Sequence, residues 1–453
     1  MENNNTKNLT EGSPFRLLVG FTVPLLLGYL FQQFYSMVDT IVVGKFLGVQ
    51  ALAGVGSTGA VSFLVLGFCT GICSGFAIPV AQRFGRKDYD GIRRIVGNIL
   101  WLSLGFALVT TVTVCLLCSR ILTWMHTPQD TFSYAYTYIL IVFMGIPSIV
   151  LYNVLSGIIR SLGDSRSPLF FLIFSSLLNI VLDLALILWA HWGVAGAAVA
   201  TVVSQLVSGI LCFLYMLRRF PLLRLSREDL RPRKAECRLL LSMGLPMGLQ
   251  YSITAVGSTI LQTSINHLGS VAMAAVTAGS RVGGLLACPF DAIGTAAATY
   301  AGQNVGAGKL KRVHTGTLIS FLIGCVYSVL ALALVLFLGK PVVMLFLDPG
   351  ETQVADILSC SQEFLIVNVA SFVTLLAVNL FRFTIQGMGY SALAVCSGVL
   401  ELVGRVVLAV ALVPVFGFTA VCFANPAAWI LADFFLLPMY FIGMHRLKKK
   451  LVS

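Results

Sequence analysis

Long apolar runs are the feature that most constrains how this chain folds. Of its 453 residues, 58% are hydrophobic and only 11% are charged, whereas a soluble chain carries about 25% charged residues. Runs of 18 or more mainly apolar residues are long enough to cross a hydrocarbon core about 30 Å thick. We therefore predict an all-α integral membrane protein with twelve transmembrane helices. Their predicted ranges are 15–43, 52–81, 92–118, 131–158, 168–189, 193–217, 239–264, 271–301, 313–338, 357–385, 392–413 and 418–444.

Composition also excludes several functional classes. A mean hydropathy of +0.92 argues against a cytosolic enzyme, and the net charge of +12 reflects basic residues that orient helices and not a nucleic-acid partner. The eleven cysteines show no zinc-site spacing. No phosphate-binding GxxxxGK[ST] loop is present, which disfavours ATP-driven transport. We therefore expect a protein that is not an enzyme and needs no cofactor.

Basic residues are distributed unevenly between alternate loops. Of the 30 lysines and arginines, 25 fall on one side of the predicted topology and 3 on the other, with Arg281 and Arg405 inside spans. The positive-inside rule then places both termini in the cytoplasm. The predicted organisation is a tail at 1–14, a first lobe at 15–217, a basic linker at 218–238, a second lobe at 239–444 and a tail at 445–453.

The two halves of the chain resemble each other. Gly48 and Gln82 recur as Gly269 and Gln303 at a spacing of 221 residues. Further pairs keep the same order at spacings between 222 and 226; they are Pro24 and Pro246, Gly163 and Gly389, and Gly193 and Gly417. An even number of helices per repeat gives two parallel, pseudo-symmetric six-helix bundles, with a cavity expected at their interface.

Ionisable side chains inside spans are candidates for function, because burying a charge in a bilayer is costly. Asp39 shares one face of the first helix with Gln32, Tyr35 and Ser36, and Asn179 and Asp183 share one face of the fifth. Asn153 and Thr201 add an amide and a hydroxyl. This oxygen-rich set suits a proton or a small cation such as Na⁺; alternatively, Asn179 and Asp183 only link neighbouring helices.

Other polar and aromatic residues have less defined roles. Glu401 and Arg405 stand one turn apart and are expected to neutralise each other on the surface of the eleventh helix. Arg281, Asp291 and Asp433 receive no role from the sequence. Aromatic side chains either line an apolar cavity or pack between helices; they are Phe31, Phe34, Tyr35, Phe63, Tyr152 and Phe290.

These segments together resemble the multidrug and toxic compound extrusion (MATE) family, of the prokaryotic type with a cation site in the N-terminal lobe. The resemblance covers essentially the whole chain. It is carried by VPLLLGYLFQQFYSMVDTIVVGKFLG, by AQRFGRKD with its partner AGQNVGAG, by IIRSLGDSRSP with its partner IQGMGYS, and by Asn179, Asp183 and Thr201.

The resemblance implies a V-shaped multidrug efflux antiporter of the cell membrane, sufficient as a monomer among membrane lipids. It exports lipophilic, often cationic compounds in exchange for H⁺ or Na⁺. It also implies a bend of the first helix at Pro24 and a place for Gln32 beside the substrate, with Tyr35, Phe63 and Tyr152 as further candidates for the cavity. The positions matching the family's cation site are Asp39, Asn153, Asn179, Asp183 and Thr201.

Two other functions remain as alternatives. The same superfamily includes flippases for lipid-linked oligosaccharides, which hold pyrophosphate with basic residues inside the cavity, and only Arg281 and Arg405 are predicted at membrane depth. A membrane-embedded enzyme would need a nucleophile or metal constellation, and the sequence shows neither. Other family members carry acidic residues on the seventh and tenth helices, whereas here these helices have no carboxylate beyond Glu363 near the start of the tenth. This difference favours the N-terminal lobe for the cation site.

Overall fold

The computed structural model describes residues 8–125, 127–345 and 353–452, and in these residues it contains helices and no strand. The helices are α1 (Pro14–Leu47), α2 (Val49–Ser57), α3 (Gly59–Gly85), α4 (Tyr89–Trp124), α5 (Gln129–Met144), α6 (Ile146–Ser161), α7 (Arg166–Leu184), α8 (Val194–Arg219), α9 (Lys234–Asn266), α10 (Ser270–Gly306), α11 (Leu310–Met344), α12 (Val354–Ala370), α13 (Phe372–Gly387), α14 (Ser391–Val407), α15 (Val413–Phe416) and α16 (Phe418–Val452). Short π-helical segments follow α7 at Ala185–Trp189 and α14 at Leu408–Leu412.

Ten of the described helices are long and apolar enough to cross a membrane singly, and two bent pairs bring the spans to twelve. The predicted all-α fold with twelve spans is thereby confirmed. The helices extend beyond the apolar windows; α16 in particular continues through residues 445–452, where the sequence predicted a tail. The second predicted span is divided at Thr58 into α2 and α3.

The two bent spans are pairs that the sequence analysis treated as single helices. Helices α5 and α6 meet at 45°, and α12 and α13 meet at 48°. Pro147 in the first turn of α6 lacks the N–H that would continue the helical hydrogen bonding. At the other bend, the Ser371 hydroxyl donates to the Val367 carbonyl at 3.0 Å, and such back-bonding by serine bends helices.

The internal repeat is visible in the backbone. Left-handed conformations recur at equivalent positions of the two halves, with φ of 85° and 97° at Gly48 and Gly269, and of 59° and 57° at Gly193 and Gly417. Glycine adopts such angles without steric cost. The π-helical segments at 185–189 and 408–412 are also equivalent. The two halves thus share these helix irregularities, whereas the break at Thr58 between α2 and α3 has no counterpart in the continuous helix α10.

Contacts within the chain define two compact units. Unit 1 consists of Met1–Leu9 and Val23–Gly248, and unit 2 of Thr10–Thr22 and Leu249–Ser453. This division differs from the one predicted at the linker, because α1 begins in unit 2 and α9 begins in unit 1. Each helix passes from one unit to the other next to a proline, Pro24 in α1 and Pro246 in α9.

The segment before α9 is fixed to unit 1. The backbone N–H of Arg233 donates to Asn98 Oδ1 at 2.8 Å, and Arg83 pairs with Glu236 at 2.6 Å. Burial raises the pKa of Asp229, but hydrogen bonds from Ser226 and the charges of Arg93 and Arg233 lower that pKa below its ordinary value. The basic linker is therefore a docked segment and not a free tether.

The segment before α1 has a similar attachment within unit 2. Lys309 Nζ donates to the Thr10 carbonyl at 3.0 Å, and Arg312 Nη1 donates to the Gly12 carbonyl at 2.9 Å. Both basic residues flank the start of α11. In unit 1 such side chains hold the segment before α9, and in unit 2 they hold the segment before α1. Helices α1 and α9 are the first helices of the two halves of the chain.

Two GxxxG segments bring α3 and the first part of α9 into backbone contact within unit 1. A Cβ atom on Gly75 would lie 2.6 Å from Gly244 Cα, and one on Gly71 would lie 2.6 Å from the Met247 carbonyl oxygen. Helices in membranes associate closely where small residues allow their backbones to approach. The glycines at 71, 75, 244 and 248 therefore fix where α9 lies on unit 1.

We expect Gly75→Ala to destabilise the protein by about 1 to 3 kcal/mol, because the added methyl group forces α3 and α9 apart. The measurement is the thermal unfolding midpoint of the purified protein in detergent. Gly105→Ala, in α4, is the matched control, since a Cβ atom there meets nothing within 4 Å. Equal midpoints for the two variants would show that the backbone contact contributes nothing.

Candidate cation-binding site in unit 1

The polar face of α1 carries the first acidic residue of the site. Gln32, Tyr35, Ser36 and Asp39 recur at helical spacing along this continuous helix. The Tyr35 side chain interacts with the amide side chains of Gln32 and Gln205. Asp39 is partly buried, and its Oδ1 atom has no hydrogen-bond partner among the described residues.

Helix α7 contributes the second acidic residue and an amide. Asp183 is fully buried and Asn179, one turn earlier, is 2% exposed. Asn179 Nδ2 donates to Thr201 Oγ1 of α8 at 3.4 Å. Within the described residues, neither oxygen of Asp183 nor Oδ1 of Asn179 has a hydrogen-bond partner. Buried polar atoms are normally satisfied, so these three oxygens form a set of buried acceptors without a donor.

The carboxyl groups of Asp39 and Asp183 lie close enough to interact electrostatically. Two carboxylates at such short range repel each other strongly in a medium of low polarisability. A proton held between them, or a small cation bound by their oxygens, removes this repulsion. The structure thus brings together the two acids that the sequence selected, on helices far apart in the chain.

Two further predicted ligands, Asn153 and Thr201, are neutral side chains of α6 and α8. Asn153, on α6, is partly buried and donates through Nδ2 to the Ile149 carbonyl of its own helix at 2.8 Å, which leaves its carbonyl oxygen available as an acceptor. Thr201 is also partly buried, and its hydroxyl donates to the Ala197 carbonyl at 3.2 Å. Both side chains therefore present oxygen, the atom that hard cations prefer.

Two residues near the acids were missed by the sequence analysis. Gln205 lies one turn after Thr201 on α8 and contacts Tyr35; its helical spacing from Thr201 was a readable signal. Tyr138, on α5, lies in electrostatic range of Asp39 and Asp183. Nothing in the sequence distinguishes Tyr138 from the other tyrosines of that span, because its position depends on the bend between α5 and α6.

The predicted substrate-cavity residues have different environments. Gln32 is exposed on α1, and Phe63 on α3 is 49% exposed. Tyr152 is buried at 8% exposure in the core of unit 1. Pro24 is buried within α1, which is one continuous helix from Pro14 to Leu47. Of the predicted cavity residues, Tyr35 therefore lies close to the acidic pair, whereas Tyr152 packs in the core of unit 1.

A helix irregularity lies directly beside the acidic pair. The π-helical segment Ala185–Trp189 begins two residues after Asp183. Such segments place one extra residue in a helical turn and are frequent at functional sites. The described residues contain no group of three or more His, Cys, Asp or Glu side chains suited to a metal ion. Any Na⁺ here would depend on two carboxylates with amide and hydroxyl oxygens.

Unit 2 contains a different polar cluster, and here two sequence-based expectations were wrong. Arg382, near the end of the tenth predicted span, was counted among the 25 basic residues on the cytoplasmic side, but it lies within α13 and is 6% exposed. Glu401 and Arg405 were expected on a helix surface, but they are 3% and 5% exposed. Glu401 accepts hydrogen bonds from Arg382 and, at 3.2 Å, from Arg405. The count of basic residues becomes 24 against 3, which leaves the bias unchanged.

We expect Asp183→Asn to reduce the loss of thermal stability at alkaline pH. In the natural protein both acids are then ionised and repel each other, whereas an amide at 183 carries no charge. The measurement is the unfolding midpoint of purified protein as a function of pH. The control is Asp90→Asn, which alters an exposed carboxylate paired with Arg93. Parallel pH profiles for natural protein and Asp183→Asn would contradict electrostatic coupling of the pair.

Comparison with known proteins gives consistent matches over most of the chain. The family model MatE matches twice, at residues 24–185 and 246–411, in agreement with the internal repeat. The chain is 30% identical over 306 residues to the probable multidrug resistance protein YpnP of Bacillus subtilis, which covers 68% of each protein. It is 24% identical over 337 residues to an FAD transporter of Shewanella oneidensis, covering 73% of this chain and 74% of the relative.

The fold also matches solved structures. One is the outward-facing conformation of a multidrug resistance MATE family transporter of the MOP superfamily, with a TM-score of 0.90 and 22% sequence identity. The match covers 99% of this chain and 100% of that one. At this identity the likeness establishes the arrangement of the helices alone.

Proposed function

This chain belongs to the multidrug and toxic compound extrusion (MATE) family, and from that premise we propose that it is a secondary active multidrug antiporter. It exports lipophilic, often cationic small molecules across the cell membrane in exchange for H⁺ or Na⁺. Members of the family are transporters and not enzymes. The positive-inside bias supports cytoplasmic termini.

The contact between Asp39 and Asp183 is the observation that supports cation coupling. Both oxygens of Asp183 and Oδ1 of Asp39 are buried and lack donors among the described residues, so a bound cation would stabilise the site. Asn153, Asn179 and Thr201 supply the neutral oxygens. The proposed cation-coupling residues are Asp39, Asn153, Asn179, Asp183 and Thr201.

Exchange follows if the cation and the substrate favour opposite conformations. A proton or Na⁺ between Asp39 and Asp183 removes their repulsion and changes how α1 packs on α7. Tyr35 and Gln32 lie on the same face of α1 as Asp39, so a movement of this helix alters the surface offered to the substrate. Such differential binding is sufficient for coupling, and the coupling is reciprocal.

Antiport fits the chain better than lipid-linked oligosaccharide flipping. Of the arginines within spans, Arg382 and Arg405 are both hydrogen-bonded to Glu401. Arg281 is exposed on α10. A pyrophosphate group would need several basic side chains turned toward it, whereas the acidic pair in unit 1 suits a cation.

We expect proteoliposomes containing the protein to expel a fluorescent lipophilic cation when a pH gradient or a Na⁺ gradient is imposed. Asp39→Asn and Asp183→Asn should each reduce gradient-driven efflux to the level of empty liposomes, because one carboxylate then carries no exchangeable charge. The rate is followed by fluorescence for each gradient separately. The gradient that drives efflux names the coupling ion.

The matched control is Asp90→Asn, which neutralises an exposed carboxylate of unit 1 and should leave efflux unchanged. Gradient-driven efflux that survives in both site variants would place the coupling site elsewhere. No efflux with either gradient, in protein that unfolds cooperatively, would reject cation-coupled export of lipophilic cations. Translocation of lipid-linked sugars, and of flavin nucleotides as in the Shewanella relative, would then be assayed.

A further inference from the structure

Unit 2 contains five ionisable side chains within spans that are linked through one guanidinium group. Arg382, on α13, interacts electrostatically with Asp291 of α10 and Asp433 of α16. It also donates to Glu401 of α14, which binds Arg405 as well. Two of these groups are basic and three are acidic, so the cluster carries one net negative charge when all are ionised. An uncompensated charge inside a membrane span is costly.

Glu401 is the best satisfied of the three acids. Its two oxygens accept hydrogen bonds from two different arginines. The arginines have further partners, since Arg382 Nε donates to Ser397 Oγ at 3.0 Å and Arg405 Nε donates to Asn425 Oδ1 at 3.3 Å. This network stabilises the ionised form of Glu401, because hydrogen bonds between charged groups are the strong ones. Glu401 is therefore a poor acceptor for a proton.

Asp291 is intermediate among the three acids in how well its carboxylate is satisfied by hydrogen bonds and solvent. Its Oδ1 atom accepts a hydrogen bond from Asn379 Nδ2 at 3.2 Å, and its side chain is exposed. An exposed carboxylate that has an amide donor retains its charge at a smaller cost than a buried one.

Asp433 is the least satisfied acid of the cluster. It is 8% exposed, and its Oδ1 atom has no hydrogen-bond partner within the described part of the chain. An ionised carboxylate needs donors for its oxygens, whereas a protonated one carries no charge and adds a hydroxyl donor. The excess negative charge of the cluster is thus removed at lowest cost by a proton on Asp433.

Among the described residues, the helices packed against α16 place several ionisable groups along it. Its packing partner α13 contributes Arg382, and α14 contributes Glu401 and Arg405. Helix α11 brings His314 to Tyr440, about two turns further along α16, and α12 brings Glu363 to Thr419 near the start of α16. The described helix α15 and the π-helical segment 408–412 carry no charged residue.

We propose that Asp433 is a second proton-binding site, located in unit 2, with Arg382 as its counter-charge. The proton binds to a carboxylate oxygen of Asp433 and leaves from the same oxygen, and no other bond changes. When the proton leaves, Asp433 competes with Glu401 for Arg382. The site rests on the proposed antiport for its role, which is to move a second proton in each transport cycle.

Infrared spectroscopy tests proton binding without any transport. Protonated carboxyl groups absorb at a frequency where carboxylates and amides do not, and ¹³C-labelled aspartate shifts that band. We expect full-length Asp39→Asn/Asp183→Asn protein, purified in detergent, to retain an aspartic acid band at neutral pH, where exposed aspartates such as Asp90 are ionised. Adding Asp433→Asn should abolish the band, whereas adding Glu363→Gln, an exposed carboxylate of unit 2, should leave it unchanged.

Two outcomes would overturn the proposal. One is the absence of a protonated aspartate band in the Asp39→Asn/Asp183→Asn protein, which requires no change in unit 2. The other is a band that remains after Asp433→Asn. If Asp433→Asn does not fold, Asp433→Glu replaces it, because it keeps a carboxyl group but removes the label at that position.

Transport then tests the role of the proton. At zero membrane potential, the exchange of two protons per substrate maintains a limiting substrate concentration ratio across the membrane. This ratio is the square of the one that a single proton maintains at the same pH gradient. We expect Asp433→Asn to lower the steady-state substrate ratio at a fixed pH gradient to its square root, and an unchanged ratio would overturn the role. A natural protein that shows the infrared band but no gradient-driven efflux would refute the antiport and leave the proton site standing.

Discussion

The cost of an unpaired charge inside a hydrocarbon core governs where this chain places its ionisable residues. Even lenient insertion scales assign at least about 2.5 kcal/mol to one such residue at the centre of a span. The strong asymmetry of basic residues between the loops, and the engagement of Arg382 and Arg405 by Glu401, both follow from this cost. Among the described residues, buried carboxylate oxygens without donors are then the exceptions, and they occur at Asp39, Asp183 and Asp433.

The two units share a fold but handle buried charge differently. Unit 1 places two acids, Asp39 and Asp183, together with the Asn179 amide and the Thr201 hydroxyl, and the cation proposed there would balance their charge. Unit 2 contains two arginines beside three acids, and it is balanced by a single proton. The π-helical segments at 185–189 and 408–412 occur at equivalent positions of the two halves, so the units differ here in their polar residues and not in this feature of the backbone.

The sequence predicted the spans well because hydropathy over about 20 residues is decided by the membrane and not by tertiary contacts. It also selected Asp39, Asn179 and Asp183, since helical spacing alone places them on single faces. It did not predict the bend at Ser371, because a serine hydroxyl can donate either to a carbonyl of its own helix or to another acceptor, and the sequence does not show which. The burial of Arg382 was missed for a related reason. A basic residue near the predicted end of a span is typical of a loop, and the sequence does not show that Arg382 pairs with Glu401, 19 residues later.

Helix irregularities lie close to the polar groups of both units. A bent or π-helical segment leaves backbone groups without regular partners, and in a membrane such groups are tolerated only inside the protein or beside a water-filled cavity. Asn153 lies two turns beyond the bend at Gly145, and Asp183 lies two residues before a π-helical segment. In unit 2 the corresponding π-helical segment follows Arg405 by three residues. A site that must bind and release its ion repeatedly cannot be fully satisfied by the protein alone, and these local departures from regular helix keep it incompletely satisfied.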